Sequence, residues 1–272
     1  MDSLPTLSVL EESRVSPPPD TIECNLDFKD LTGNHSRKCD KFYHLIPLLG
    51  RTAKVGDSIK IPVFSVQVTL FPNSGISIGM TNHHILGDAN TYFLFWKAWS
   101  LIAQSGSDES FLATGTLPVY DRLTRMDPPI PAAYFGNCLV PCMSLARTGI
   151  LKEKEGYLTA AKMMGENLHR MLSNKDGVLK YLGPVENWFP KVCLKKITSV
   201  TGTLKVRYYD LDFGFGKPKK HETVSMDYIE SISISACRES NEDLEIGVCL
   251  SATEMDVFVS NFNSGLESYI SV

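Results

Sequence analysis

Between Phe64 and Ala103 the spacing of apolar residues changes once, from every second residue to every third or fourth, and this change constrains the fold more than any other feature. Phe64, Val66, Val68 and Leu70 alternate with Ser65, Gln67 and Thr69, the period of a half-buried strand. Pro72-Asn73-Ser74-Gly75 is a turn, and Ile76, Ile78 and Met80 resume the alternation, so residues 63 to 81 are expected to form a β-hairpin. Beyond Asp88 the period becomes helical. Tyr92, Phe95, Trp96, Trp99 and Ala103 share one face of a helix expected from about residue 89 to 104, and their aromatic stripe reads as core packing rather than a cofactor box. The polar stretch Asn82-His83-His84-Ile85-Leu86-Gly87-Asp88 is thereby set between a strand end and a helix start.

Other elements are signalled more locally. Leu7 to Val15 reads as a short strand stopped by Pro17-Pro18-Pro19, and the polar, turn-rich residues 23 to 60 as mostly loop. Residues 105 to 117 read as loop, and Asp127-Pro128-Pro129-Ile130-Pro131 as a rigid connector. Leu158, Ala161, Gly165, Leu168 and Leu172 predict a second helix. Ile197 to Tyr209 and Thr223 to Ile234 favour strand, and Leu244, Ile246, Val248 and Leu250 alternate clearly. Ser251-Ala252-Thr253-Glu254 is a capping box, followed by Met255, Phe258, Val259, Phe262 and Leu266 as an expected buried stripe.

Composition narrows the function classes. Hydrophobic residues are 43% and charged residues 21% of 272, the balance of an ordinary globular protein able to bury a core. The net charge of -4 argues against nucleic-acid binding, and the densest basic run, Lys217-Pro218-Lys219-Lys220, reads as a solvated loop. Seven irregularly spaced cysteines without a C-x-x-C pair suggest a reducing compartment and no metal site. The N-terminus lacks a basic start with a long apolar stretch, and no apolar run approaches bilayer length, so a cytosolic protein without a membrane partner is expected.

His84, at the end of a strand and near Gly87, suits a general base. A neutral imidazole can accept a proton from a hydroxyl attacking a carbonyl, a contribution of order 10²- to 10⁴-fold in rate. Asp88 could pair with His84, hold the loop through another group, or cap the helix that it opens. Two fixed residues four apart occur often by chance, so context decides. No Gly-x-Ser-x-Gly elbow and no glycine-rich phosphate loop after a strand is present, which disfavours serine hydrolases and nucleotide chemistry.

That context comes from three further segments, and with them the chain resembles the plant BAHD acyltransferases. His84 to Asp88 matches the family's HxxxD motif within Thr81-Asn82-His83-His84-Ile85-Leu86-Gly87-Asp88-Ala89. Asp212-Phe213-Gly214-Phe215-Gly216 resembles its DFGWG motif and is followed by the usual Lys217-Pro218, with Phe215 in place of tryptophan. Tyr134-Phe135-Gly136-Asn137-Cys138 is similar to the YFGNC signature of the subgroup that acylates anthocyanins and other phenolic glucosides, often from malonyl-CoA. Leu10 to Pro18 resembles that subgroup's first strand. The resemblance implies an α/β, two-domain, chloramphenicol acetyltransferase-like architecture of mixed sheets with flanking helices. Its halves are expected at residues 1–122, carrying HxxxD, and 123–272, carrying the other two motifs.

By the same resemblance His84 is the general base, and Asp88 turns away to hold the loop through an ion pair. Asp212 is often placed with the active residues, although the glycines at 214 and 216 favour a structural role, its carboxylate bonding local amides. The implied partners are acyl-CoA, malonyl-CoA foremost, as co-substrate and a small phenolic or flavonoid glucoside as acceptor, the group moved being malonyl or hydroxycinnamoyl. No permanent cofactor and a monomeric state are expected.

Full members of the family are longer, and the difference is internal. One break falls near Glu23, after Asp20-Thr21-Ile22, and another between Asp121 and Arg125. The second block would carry the interdomain crossover and strands beside the CoA channel. Losing strands exposes apolar faces worth about 25 cal/mol per Å² against a net stability of about 5–15 kcal/mol. A catalytically inactive relative with at most a binding role is therefore the competing expectation.

Overall fold

The computed structural model describes residues 22–106, 137, 139, 141–173, 197–204, 206–224, 231–240 and 242–270. Contacts divide the chain after His83 into two compact units. The expected strand at Leu7 to Val15, the Pro-rich connector, most of the YFGNC segment and the boundary after residue 122 lie outside the described residues.

In the first unit the period-two pattern becomes a mixed sheet. Strand β1 (Ile22–Glu23) runs parallel to β4 (Phe64–Phe71), which pairs antiparallel with β5 (Gly75–Asn82). The hairpin register joins Phe71 to Gly75 across Pro72-Asn73-Ser74. Asn73 takes the left-handed conformation, φ 57°, at the third position of a turn that the Ser74 N–H closes by donating to the Phe71 carbonyl at 3.0 Å, with Pro72 before it as in type II turns. Leu31, Leu45 and Phe71 form a small core with Phe28 and Phe42 beside it, and the Phe28 and Phe71 rings meet edge to face at 5.2 Å. At Gly79 the chain near Leu45 comes so close that a Cβ would stand 1.9 Å from the Leu45 carbonyl oxygen, so only glycine fits.

Residues 23 to 60 are not mostly loop. They hold α1 (Phe28–Thr32), α2 (Asp40–Tyr43) and a small antiparallel pair, β2 (Ala53–Val55) with β3 (Ser58–Lys60). Asp27 caps α1 by accepting from the backbone N–H of Lys29 and Asp30 at 2.8 and 3.3 Å. Gly56-Asp57 closes the small pair, with Gly56 at φ 60°. Elements of three to five residues are too short to show a period, so only their cap and turn residues announce them.

The second unit begins with a 3₁₀ turn, His84–Leu86, and α3 (Ala89–Ser105), which ends at Gly106 in the left-handed conformation. It continues with α4 (Thr148–Leu151) and α5 (Gly156–Ser173). Strand β6 (Ser199–Thr203) runs parallel to β7 (Ser231–Ala236), which pairs antiparallel with β8 (Leu244–Val248). The strand expected to Tyr209 is shorter, because residues 208–210 turn into a 3₁₀ segment. Helix α6 (Ala252–Ile270) starts at the capping box, where Ser251 Oγ donates to Glu254 Oε2 at 2.7 Å and accepts from the Glu254 N–H at 3.4 Å.

The stripes of the last two long helices depart from expectation. In α5 only Gly156 is buried, and in α6 no residue is. Leu168 and Leu172 on one, and Phe262 and Leu266 on the other, are exposed. Amphipathic spacing defines a face that must be covered, not the element that covers it, and among the described residues none does. No described helix is long and apolar enough to cross a membrane.

Candidate active site

The His84 turn follows the hairpin in the chain and opens the second unit. Before it, the His83 N–H donates to the Val63 carbonyl at 2.8 Å, one step beyond the last paired residues of the hairpin. After it, Asp88 caps α3, its carboxylate accepting from the Thr91 N–H at 3.1 Å. Asp88 and Thr91 are buried, and Gly87 lies against Thr91 so closely that a Cβ would stand 2.5 Å from the threonine methyl. His84 itself is exposed, as is Ile85. A buried carboxylate that caps the helix thus stands four residues from a solvent-facing imidazole. The side-chain amide of Asn137 donates to the His84 backbone carbonyl at 2.5 Å.

Asp212 lies at the other end of α3. Gln104, in its last turn, donates to the Asp212 backbone carbonyl at 2.6 Å. A helix of 17 residues is about 25 Å long at 1.5 Å per residue, so α3 separates Asp212 from the His84 turn. Asp212 Oδ1 accepts from the N–H groups of Gly214 and Gly216 at 2.8 and 3.0 Å. These glycines stand at φ 94° and 91°, a region that side chains disfavour. The Asp212 carboxylate thus bonds amides of its own loop. Phe213 anchors it on the aromatic stripe of α3, edge to face with Trp99 at 5.1 Å and Trp96 at 6.0 Å. Phe215, in place of the family tryptophan, is exposed.

A second network fastens the same loop to the sheet. The buried Tyr209 hydroxyl donates to Glu245 on β8 at 2.6 Å and accepts from the His221 N–H at 3.2 Å. Lys220 pairs with the other Glu245 oxygen. Burial pushes the Glu245 carboxyl up, but Lys220 and Tyr209 outweigh it and hold it below its usual range. The His221 ring stacks on Tyr208 at 4.1 Å, and burial lowers its pKa to about 4, while burial raises Tyr208 to about 12.

A groove of about 400 Å³ runs beside Phe93, Lys97, Leu101, Arg207 and Asp212, along α3 rather than at His84. Among the described residues no group of three or more His, Cys, Asp or Glu side chains is placed to hold a metal ion. The sequence motifs marked His84, Asp88 and Asp212. They gave no role to Asn137, Gln104 or Phe213, whose contacts join segments distant in the chain, although Asn137 stood inside a recognised signature.

Comparison with known proteins agrees with the residue-level resemblance. A model of the Transferase family matches residues 24–122 and 108–264. The malonyl-coenzyme A:anthocyanin 3-O-glucoside-6''-O-malonyltransferase of Dahlia pinnata is 36% identical, covering 91% of this chain and 75% of its own length. Phenolic glucoside malonyltransferase 1 of Nicotiana tabacum is 30% identical, covering 90% of this chain and 77% of its own length. The crystal structure of vinorine synthase matches with a TM-score of 0.58 at 15% identity, over 86% of this chain and 73% of that one, which shows a shared α/β fold of mixed sheets and helices. The Dahlia alignment runs over 351 positions, 79 more than the whole 272-residue chain, so this chain is shorter internally. The family match begins at Cys24 and splits around residues 108–122, close to the two breaks that the sequence suggested. With the family matched over most of its length, the chain belongs to the BAHD acyl-CoA-dependent acyltransferases.

Proposed function

We propose that this protein moves a malonyl group from CoA to a hydroxyl of a phenolic or flavonoid glucoside, with His84 as general base. The observation that carries the proposal is the exposed His84 in a turn that leads directly into the buried Asp88 cap of α3. The relatives named above act on anthocyanin and phenolic glucosides, which favours malonyl over hydroxycinnamoyl as the transferred group. The imidazole accepts the proton of the acceptor hydroxyl as its oxygen attacks the thioester carbonyl. The tetrahedral intermediate collapses with loss of the CoA thiolate, which takes up the proton, leaving an ester and free CoA. Acyl-CoA serves as a co-substrate, no resident cofactor is needed, and Asp88 and Asp212 hold backbone. The cysteine pattern and the small-molecule substrates suit action in the cytosol.

In the test, purified protein is incubated with malonyl-CoA and a flavonoid glucoside, and the malonylated product is followed by mass. Product formation that falls at least about 100-fold in His84→Ala supports the proposal. Equal rates in the two proteins would refute the role of His84.

A second reading, a catalytically inactive relative that binds a small phenolic, is favoured by the uncovered stripes of α5 and α6. It predicts a cooperative thermal transition raised by a phenolic glucoside, with no product at any malonyl-CoA concentration. Product made in a His84-dependent way rules it out.

A further inference from the structure

We infer that Asn137 is a positioning residue for His84, acting through the backbone of the turn. Its side-chain amide donates to the His84 carbonyl at 2.5 Å across 53 residues of sequence, so the bond is tertiary and not a local turn contact. The carbonyl belongs to the first residue of the His84–Leu86 turn, and the next fixed point in the chain is Asp88, bonded to the Thr91 N–H. Between these anchors lie Ile85 and Leu86 with the crowded Gly87, which leaves the backbone little room to rotate. A side chain's direction is set by its own backbone dihedrals and rotamer. Fixing the peptide plane after His84 therefore steadies the direction of its Cα–Cβ bond, and with it the arc that the exposed imidazole can sweep. Hydrogen-bond support of this kind holds a reactive group to about 0.5 Å, and a misplacement near 1 Å can cost about 100-fold in rate.

The chemistry of residue 137 is specific. The His84 carbonyl needs a donor, and an amide supplies N–H without adding charge beside the imidazole. Aspartate has almost the same shape but would place an acceptor against an acceptor. Alanine leaves the carbonyl to water and the turn free to rotate.

The inference rests on the proposal that His84 is the base, so its test has a readout independent of turnover. The full chain is labelled with ¹³C-carbonyl histidine and ¹⁵N-amide asparagine, and the through-bond correlation between the Asn137 side-chain nitrogen and the His84 carbonyl carbon is sought by NMR. The expected result is that correlation in the unaltered protein, which needs no variant to fold. In Asn137→Ala and Asn137→Asp the His84 carbonyl resonance should shift, with kcat lower by about 10- to 100-fold, KM unchanged and the thermal midpoint retained. Asn137→Gln, which keeps the donor, should recover part of kcat. Absence of the correlation, an unmoved His84 resonance, or a moved resonance with unchanged kcat would each overturn the inference. Should the NMR results appear while the unaltered protein forms no product, the hydrogen-bonded turn stands and the proposed function fails.

Discussion

At the residue scale, Asp88 separates two roles that its position allows. A carboxylate acting as electrostatic partner of His84 would need its charge, whereas a helix cap needs only an acceptor oxygen aimed at the Thr91 N–H. Asp88→Asn keeps such an oxygen, so it should preserve the cap on α3 and a rate close to that of the unaltered protein, while any ion pair of the carboxylate is lost with its charge. Asp88→Ala should lower stability by about 1 kcal/mol, read as a shifted urea midpoint. A collapse of activity in Asp88→Asn with unchanged stability would favour the electrostatic role instead. His84 and Asp88 were legible because a five-residue motif sits where the apolar period changes. Asn137 was not, because nothing in a linear chain announces which carbonyl an amide 53 residues away will reach.

At the scale of elements, a chain segment was readable in proportion to its length and to the strength of its end signals. The hairpin and α3 follow their patterns nearly residue for residue, since eight alternating positions per strand and a long aromatic stripe leave few alternatives. The pieces within residues 23 to 60 escaped because they carry no period, though Asp27 and Gly56-Asp57 marked their ends. The 208–221 loop is held by contacts that sequence does not order: Phe213 on α3, Asp212 on two glycine amides, and Tyr209 with Lys220 on Glu245.

His221 gives this loop a dependence on pH. Its pKa, normally about 6.5, is lowered to about 4 first by burial and further by Lys220, with Glu245 opposing. The unfolded chain therefore takes up a proton before the folded one does. Stability from the neutral, stacked ring is complete above about pH 6.5 and is lost as pH falls towards 4. His221→Phe keeps a ring on Tyr208 and cannot protonate, so its thermal midpoint should fall less between pH 7 and pH 4.5 than that of the unaltered protein. Parallel declines in the two would show that His221 does not govern the window.

At the scale of the whole molecule, burial is unevenly distributed. Trp96 and Tyr92 on α3 are buried, while α6 presents Phe262 and its neighbours to solvent. Truncating Trp96 to alanine should cost about 3–5 kcal/mol, enough to threaten a domain whose total stability is about 5–15 kcal/mol. Phe262→Ser should cost clearly less, about 1 kcal/mol, because more than half of that residue stays in water on folding. Chemical denaturation of both variants checks the contrast, and a large loss in Phe262→Ser would mean that the α6 stripe is covered in solution. The same exposure explains why sequence period located the stripes but misjudged their burial. Periodicity assumes a partner, and among the described residues none covers these stripes.

The central claim is that the shortened chain retains His84-dependent acyl transfer. The most direct measurement is the stoichiometry of malonylated glucoside and free CoA, both followed by mass because the protein's own free cysteines would react with thiol reagents. It is made on protein with a sharp thermal transition, with and without His84→Ala. The account predicts ester and CoA in equal amounts from the unaltered protein and at least about 100-fold less of both from the variant. A cooperatively folded protein that forms neither, or one whose product formation is indifferent to His84, would contradict it.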